Sequence, residues 1–304
     1  MQASCTTGRR RDGRGVADSE LGPTYTWQDA RDAGLTRAQR RDDGVRVSRG
    51  AYVSRAVPLS LHAACSAVLP LLPADTVVSH RTAAALLGAP VPHGWPLEVS
   101  VPSDTYRPRR RRLRVHVRDL LAEDATEHRG LPVTSGPQAW LDLAAVLGPP
   151  ELVAVGDALY RAGHLDEGSL AGRLARADGV RGVVRAREWA PLLSPLAMSR
   201  PESVVRCLLI QAGLPHPRPQ VEIESASGQV VAHSDLGWPE WRVAVEYEGR
   251  QHADRRQFGR DLDRYSLMAA DGWLTIRYGA DHLRRPEVIV DRATRALRSR
   301  GAVW

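Results

Sequence analysis

The sequence predicts a protein of the mixed α/β class, α+β overall, built from more than one domain. Three observations lead to this prediction. The chain has 304 residues, which is long for a single hydrophobic core. Near its start, two short helical patterns are followed by two short alternating segments. Residues 196–304 then give elements in the order α-β-β-β-α-β-α, which is typical of a mixed sheet flanked by helices.

Residues 23–58 carry the pattern of a winged helix. Gly34 separates two short helical runs, and Thr36 can cap the second of them. Alternating strands at 45–47 and 51–53 then form a predicted hairpin. We predict that the second helix contacts DNA, although winged helices also dock proteins, so a protein partner stays an alternative. The candidate DNA contacts are Arg37, Arg40 and Arg41.

The remaining segments are a tail and a middle region. Residues 1–22 are rich in Arg, Gly, Ser and Thr and are predicted to be disordered. Residues 59–195 mix helical and strand patterns, with strands at 97–101 and 113–117 and a helix that Ser79 can cap. This middle region offers no catalytic constellation in its sequence.

Composition narrows the choice of partner. The formal net charge is +7, which indicates an anionic partner, with nucleic acid favoured over a membrane surface. The chain contains no Lys and no Asn, so part of its arginine content reflects coding bias, and no lysine is available as nucleophile, base or charge clamp. No stretch approaches the roughly 18 apolar residues that span a bilayer, and no secretory signal is recognisable, so we expect a cytoplasmic protein.

Three cysteines, far apart in the sequence, make neither a disulfide framework nor a cysteine zinc site. Cys65 and Cys207 lie among apolar residues and are predicted to be small core side chains. Cys5 falls in the predicted tail.

A strand near residue 245 carries the main chemical signal. Val243, Val245 and Tyr247 alternate with Ala244, Glu246 and Glu248, so the two carboxylates share one face of the strand. Two acids beside an apolar face are costly unless a positive group lies between them.

Asp235 ends the preceding predicted strand and can supply a third carboxylate. Carboxylate oxygens suit Mg²⁺ or Mn²⁺, either of which could hold a phosphate and lower the pKa of a bound water. The expected metal ligands are therefore Asp235, Glu246 and Glu248. A tight turn at Trp238-Pro239 would place Asp235 opposite Arg242 instead, and the strands would then have to splay or bulge for the acids to meet.

These residues resemble those of the PD-(D/E)XK nuclease superfamily. The C-terminal segment is similar, more closely, to a very-short-patch-repair-like domain of unknown function. The resemblance covers residues 199–298 almost continuously and implies a restriction-endonuclease-like α/β/α sandwich. It rests on Asp235, Glu246-Tyr247-Glu248-Gly249, His252, Glu202-Ser203 with Arg206, Gly213-Leu214-Pro215, Asp261 with Arg264, and Gly272-Trp273.

The N-terminal half resembles the AbiEi-like arrangement of type IV antitoxins. Short motifs carry this resemblance, which implies DNA as one partner and a cognate toxin as another. They are Arg49-Gly50-Ala51-Tyr52, Ser79-His80-Arg81-Thr82-Ala83-Ala84, Gly130-Leu131-Pro132-Val133-Thr134 and Leu141-Asp142-Leu143-Ala144.

The nuclease resemblance also implies roles for single residues. Asp235 and Glu246 would bind metal, and Glu202 would complete the site. Glu248 stands where the wider superfamily has a lysine, so that lysine's role is filled otherwise or is missing. His252 would act as a general acid or base or contact phosphate. Arg264 would orient an active-site acid or contact DNA.

Structural readings stand beside these functional ones. Glu202 can close a capping box with Ser199 and pair with Arg206 one turn later. The acids on the strands can equally form a salt-bridged sheet edge with nearby arginines. Asp261, Asp263 and Arg264 would ordinarily be a solvated helix face.

Two functions follow from these readings. The first is a metal-dependent DNA endonuclease of repair or defence type, targeted by the N-terminal DNA-binding module. The second is a non-catalytic, antitoxin-like DNA-binding regulator whose nuclease fold is degenerate. The retained acids favour the first function, and the missing lysine favours the second.

Overall fold

The computed structural model describes residues 21–92, 94–224, 228–249 and 264–304. The chain divides into two compact units, Met1–Ala74 and Asp75–Trp304, here called the first and second unit. Helices and three β-sheets are present, and the two larger sheets mix parallel and antiparallel strands. The predicted mixed α/β class, α+β overall, is confirmed.

In its described residues, 21–74, the first unit has a three-stranded antiparallel sheet and three α-helices. The helix–turn–helix and hairpin predicted from sequence are present, and a short strand ahead of them pairs with the hairpin's second strand. The sheet order is β1-β3-β2. The elements are β1 (Thr24–Thr26), α1 (Trp27–Asp32), α2 (Arg37–Asp43), β2 (Gly44–Ser48), β3 (Ala51–Ser54) and α3 (Leu61–Val68).

Local sequence explains where these short elements begin and end. Thr36 caps α2 through a reciprocal pair of hydrogen bonds with Gln39. Gly44 starts β2 directly beneath Tyr25, where an added Cβ would lie 2.2 Å from the phenol oxygen, so only glycine fits. Helix α3 packs on β1 and β3, and the first unit therefore extends to Ala74, beyond the winged-helix boundary at residue 58 predicted from sequence.

The second unit opens with a five-stranded mixed sheet in the order β6-β5-β4-β8-β7. Strands at 97–101 and 113–117 match the sequence prediction, whereas the short strands β4, β7 and β8 were not predicted. The elements are β4 (Val77–Val78), α4 (His80–Leu86), β5 (Leu97–Val101), β6 (Leu113–Val117), β7 (Ala125–His128), β8 (Leu131–Thr134), α5 (Gly136–Ala144), α6 (Pro149–Arg161), α7 (Glu167–Ala175) and α8 (Val183–Trp189).

A four-stranded sheet follows, in the order β12-β11-β10-β9. Strand β11 pairs antiparallel with β10 and parallel with β12. The predicted order α-β-β-β-α-β-α is therefore present. Its elements are α9 (Arg200–Gln211), β9 (Arg218–Glu224), β10 (Val230–Trp238), β11 (Val243–Glu248), α10 (described over residues 264–270), β12 (Leu274–Gly279) and α11 (Pro286–Ser299).

Helices cover both faces of this sheet. On one face, Val243 and Val245 pack with residues of α9 and α11 such as Val205 and Ile289. On the other, Ala244 packs with Met268 of α10. The predicted alternation along β11 is therefore confirmed, and it directs Glu246 toward the α10 side of an α/β/α sandwich.

Helix α9 joins the sandwich to the helices before it. Arg206 donates from Nη2 to Asp157 Oδ2 of α6 at 2.7 Å, and both side chains are buried. The predicted pairing of Arg206 with Glu202 is wrong, because the buried Asp157 takes the guanidinium. Cys207 is a free core cysteine beside Trp189, as predicted. In the described part of the chain, no helix is long and apolar enough to cross a membrane.

Candidate functional site

Glu246 is the most buried acid of the predicted site. Its residue is 3% exposed, and its Oε2 accepts hydrogen bonds from Arg264 Nη2 at 2.8 Å and from the Tyr265 hydroxyl at 2.6 Å. Its Oε1 is buried without a hydrogen-bond partner among the described residues. Burial raises the pKa of this carboxyl and Asp235 raises it further, against the opposing effects of Tyr265 and Arg264.

Asp235 lies beside Glu246 because of the strand register. Leu236 pairs with Val245, and the next residue outward on each strand is Asp235 or Glu246. The Asp235 Oδ2 accepts the backbone N–H of Tyr247 at 2.7 Å. The expected alternative in which Asp235 faces Arg242 is wrong, since a short 3-10 turn and a left-handed Arg242 lengthen the connection. Burial raises the pKa of Asp235.

Glu202 lies on helix α9, where it interacts electrostatically with Asp235. Its side chain is buried, and its Oε2 accepts from the Met198 N–H at 2.9 Å and from Gln220 Nε2 at 3.2 Å. Ser199 caps the helix by accepting the Glu202 N–H, but the Glu202 carboxylate accepts the N–H of Met198 instead of that of Ser199, so the predicted capping box is half formed. Burial raises the pKa of Glu202, and the charge of Asp235 adds to the rise.

Glu248 lies in different surroundings from the other three acids. It shares the face of Glu246 but is exposed at the strand end, where it forms an ion pair with Arg277 of β12. The Tyr265 hydroxyl is 3.5 Å from its Oε1. The charge of Asp235 therefore acts on Glu202 of helix α9. Glu248 lies instead at the solvent-exposed rim of the acidic cluster.

Sequence reasoning missed three tyrosine and arginine side chains that surround these acids. Tyr265 donates to Glu246, Arg277 pairs with Glu248, and the buried hydroxyl of Tyr278 has no hydrogen-bond partner among the described residues. The charges of Asp235 and Glu202 add to burial in raising the pKa of Tyr278. The parallel pairing of β11 with β12 sets Arg277 beside Glu246, but a single sequence does not reveal strand order.

The donor chemistry at Glu246 and Asp235 fits a hard divalent cation. Carboxylate oxygens are the ligands that Mg²⁺ and Mn²⁺ prefer, and the free Oε1 of Glu246 is a buried acceptor in need of a partner. In the residues that the structure describes, no group of three or more His, Cys, Asp or Glu side chains is close enough together to hold a metal as it stands. His252 and Asp261 lie outside the described residues.

The predicted DNA-contact residues form a concave surface in the first unit. It has a volume of about 800 Å³ and lies between α2 and the β2–β3 hairpin. Among the described residues that line it, five are arginines and none is acidic, although Arg41 also approaches Asp42 at 3.9 Å. A tyrosine, Tyr52, also lines the surface, and the five arginines are Arg37, Arg40, Arg41, Arg46 and Arg55. Arg264, in contrast, is turned onto Glu246.

A second buried polar network lies in the middle region. Glu98 on β5 accepts the Arg81 N–H at 2.9 Å and Arg114 Nη1 at 3.0 Å. Burial opposes its ionisation, but the imidazole of His116, 3.9 Å from Oε1, and the hydrogen bond from the Arg81 N–H lower the pKa of Glu98 to about 2. Nearby, Asp142 forms two charged hydrogen bonds with Arg118.

This network includes a serine, a histidine and an aspartate that do not form a catalytic triad. Ser79 Oγ and Asp142 Oδ2 both face Nδ1 of His80, at 3.0 and 3.5 Å, so the imidazole cannot relay a proton between them. His80 stacks on His116 with 3.5 Å between ring centroids, and burial lowers the pKa of His80 to about 4. Ser79 stands at the N-cap of α4 without the predicted capping bond, because its hydroxyl accepts from Ser100 instead.

Comparison with known proteins gives relatives without an assigned activity. No family model matches the chain. Two uncharacterized proteins, from two strains of Mycobacterium tuberculosis, are each 33% identical to it over 150 residues. The match covers 48% of this chain and 55% of each relative, so the chain spans about half the length of the curated relatives it matches.

Proposed function

We propose that this protein is a metal-dependent DNA endonuclease in which Asp235 and Glu246 hold Mg²⁺ or Mn²⁺. The observation that carries the proposal is the buried Oε1 of Glu246, which has no hydrogen-bond partner among the described residues. An unpaired charged oxygen is costly to bury, and the nearby charge of Asp235 increases that cost. A divalent cation would relieve it, and would polarise a phosphodiester and activate water.

The protein's own side chains have defined tasks in this proposal. Arg264 and Tyr265 fix the orientation of Glu246 by bonding its Oε2, which leaves Oε1 free for the cation. The Tyr247 N–H holds Asp235 in the same way. His252 stays a predicted acid or base. The arginine-lined concavity of the first unit would bind the phosphate backbone and target the enzyme to DNA.

A second candidate function is a non-catalytic, antitoxin-like DNA-binding regulator with a toxin as protein partner. One observation favours it: Glu246 and Glu248 each have an arginine partner, Arg264 and Arg277 respectively. Protein cations therefore neutralise part of the acidic cluster without a metal. In this alternative the concavity of the first unit accounts for the binding of DNA.

Nicking of supercoiled plasmid in Mn²⁺ separates the two functions. We expect the wild type and Glu224→Ala to nick, because Glu224 is an exposed carboxylate on β9 of the same sheet. We expect Glu246→Ala to lose nicking and to lose the rise in melting temperature that Mn²⁺ gives the wild type. If no variant nicks and the wild type still retards DNA in a low-salt gel, the regulator becomes the better proposal.

A further inference from the structure

Two arginines surround the ring of Tyr265 at the rim of the acidic cluster. The guanidinium carbon of Arg277 lies 4.2 Å from the ring centroid, and that of Arg264 lies 4.8 Å from it. Both distances are within the range of a cation–π contact. The two arginines come from different elements, β12 and α10, so the tyrosine joins the sheet to the helix that covers it.

The β-sheet places Arg277 on the same face as the acids. Arg277 is the parallel partner of Glu246 in the β11–β12 ladder. Its neighbours along the strand, Ile276 and Tyr278, are buried in the core on the opposite face. Because side chains alternate along a strand, the Arg277 side chain projects toward Glu246 and α10.

Arg264 and Arg277 differ in what they are free to bind. Arg264 is turned inward, where it donates to Glu246 and to the His233 carbonyl. The side chain of Arg277 is 48% exposed, and its ion-pair partner Glu248 is 44% exposed. Exposed ion pairs of this kind contribute little free energy, so an incoming anion can compete with Glu248 for the guanidinium.

Phosphate is the anion that fits this geometry. A guanidinium offers two parallel N–H donors that match two phosphate oxygens, and arginine keeps its charge at any relevant pH. Stacking on Tyr265 limits the rotation of the Arg277 side chain, which reduces the entropy lost on binding. The sequence contains no lysine, so arginine is the side chain of this protein that carries a positive charge at every relevant pH.

We propose that Arg277 binds a backbone phosphate of DNA beside the carboxylate site, and that Tyr265 and Glu248 position it. This inference rests on the proposed function, because it assigns the phosphate-binding side of the same site. It also gives Glu248 a role different from that of a metal ligand. Glu248 holds the guanidinium in place before DNA arrives and gives it up when the phosphate binds.

The salt dependence of DNA binding tests this proposal. The full-length protein would be titrated with a short fluorescent duplex in Ca²⁺ over a range of salt concentrations, with a gel to show that the duplex stays intact. Each lost phosphate contact lowers the slope of log K against log salt by about one. We expect Arg277→Ala to lower the slope by that amount, and Arg277→Lys to keep the slope while binding more weakly, since it lacks the planar fork.

Arg295→Ala is a matched control for this measurement. Arg295 is an exposed arginine on α11 that pairs with an exposed acid, Asp291, as Arg277 pairs with Glu248. We expect its slope to equal that of the wild type. An unchanged slope in Arg277→Ala, with a normal melting temperature, would overturn the proposal.

Glu248→Gln distinguishes the two roles of the rim acid. If Glu248 only positions Arg277, removal of its charge tightens DNA binding at low salt and leaves the Mn²⁺-dependent rise in melting temperature unchanged. If Glu248 is a metal ligand, that rise becomes smaller, which contradicts the proposal. Neither readout requires cutting, so an inactive wild type would refute the nuclease proposal without deciding the role of Arg277.

Discussion

Glu98 and Glu246 are two buried glutamates on sheets of the second unit, and their surroundings have opposite effects on their ionisation. Glu98 is 5% exposed and Glu246 is 3% exposed. The hydrogen bonds around Glu98 lower its pKa to about 2, whereas burial raises the pKa of Glu246. Both carboxylates have arginine partners, but Glu246 alone of the two has a buried oxygen with no hydrogen-bond partner in the described part of the chain.

The difference separates a hydrogen-bonded structural network from the candidate site. Around Glu98, both carboxylate oxygens are engaged by protein donors, so the ionised form is favoured and nothing further is needed. Around Glu246, the charge of Asp235 and an oxygen without a hydrogen-bond partner among the described residues disfavour the ionised form. The two glutamates are similarly buried and each accepts two hydrogen bonds, but Glu98 accepts one on each oxygen whereas Glu246 accepts both on Oε2.

The largest expected effect concerns the network of the middle region. Arg118→Leu removes both charged hydrogen bonds to Asp142, whose side chain is 3% exposed. An uncompensated buried charge costs about 3–5 kcal/mol of unfolding free energy, measurable by urea titration. The control, Arg218→Leu, breaks a solvent-exposed pair with Glu240 and should cost less than about 1 kcal/mol. An equal loss of unfolding free energy in the two variants would show that Arg118 does not neutralise the buried Asp142.

A smaller effect comes from the same substitution at both glutamates. Glu98→Gln weakens charge-assisted hydrogen bonds and should lower the unfolding free energy by on the order of 2 kcal/mol. Glu246→Gln removes a charge that its surroundings disfavour, and should change stability by less than about 1 kcal/mol in metal-free buffer. Thermal unfolding of the two variants in EDTA measures the contrast. If Glu246→Gln lowered stability as much as Glu98→Gln, the surroundings of Glu246 would not disfavour its ionised form, contrary to the proposal.

The pH dependence of stability gives the smallest and most specific contrast. The lowered pKa of Glu98 stabilises the fold at every pH above 4.5, the ordinary pKa of a glutamate. This stabilisation is lost as the pH falls from 4.5 toward 2. The raised pKa of Glu246 has the opposite sign: its contribution is present below the ordinary value and is lost as the pH rises through the raised one.

Melting temperatures across acid to neutral pH check both signs. Glu98→Gln should flatten the acid limb of the curve, and Glu246→Gln should flatten the decline toward neutral pH. Mn²⁺ should protect the wild type more strongly as the pH rises, because a metal binds ionised carboxylates and displaces protons. Protection that weakens with rising pH would argue against a carboxylate metal site.

Periodicity and end signals predicted most of the sandwich from the sequence. Thr36 and Ser199 marked helix starts, and the alternation in 243–248 gave the correct face for Glu246. The short strands β1 and β4 carry too few residues to show a period and escaped prediction. The sequence left the length of the turn after Trp238 open, because no local pattern indicates the 3-10 turn and the left-handed Arg242 that lengthen it.

The site was predictable only in its acids. Glu246 and Glu248 share a strand, so spacing alone places them on one face, and the neighbouring strand supplies Asp235. Their partners depend on tertiary packing: Arg277 comes from a parallel strand and Tyr265 from a helix on the covering layer. Side chains that meet across layers leave no spacing signal in a single sequence.

The buried contact between Arg206 and Asp157 determines how this protein can be divided. A gene fusion that borrowed residues 196–304 would carry Arg206 away with α9 and leave Asp157 behind on α6. Arg206 in one fragment and Asp157 in the other would then each lack the ion-pair partner that it has in the intact unit. The smallest piece that keeps this buried pair intact within a compact unit is therefore Asp75–Trp304, so a truncated version of the protein is best cut before Asp75.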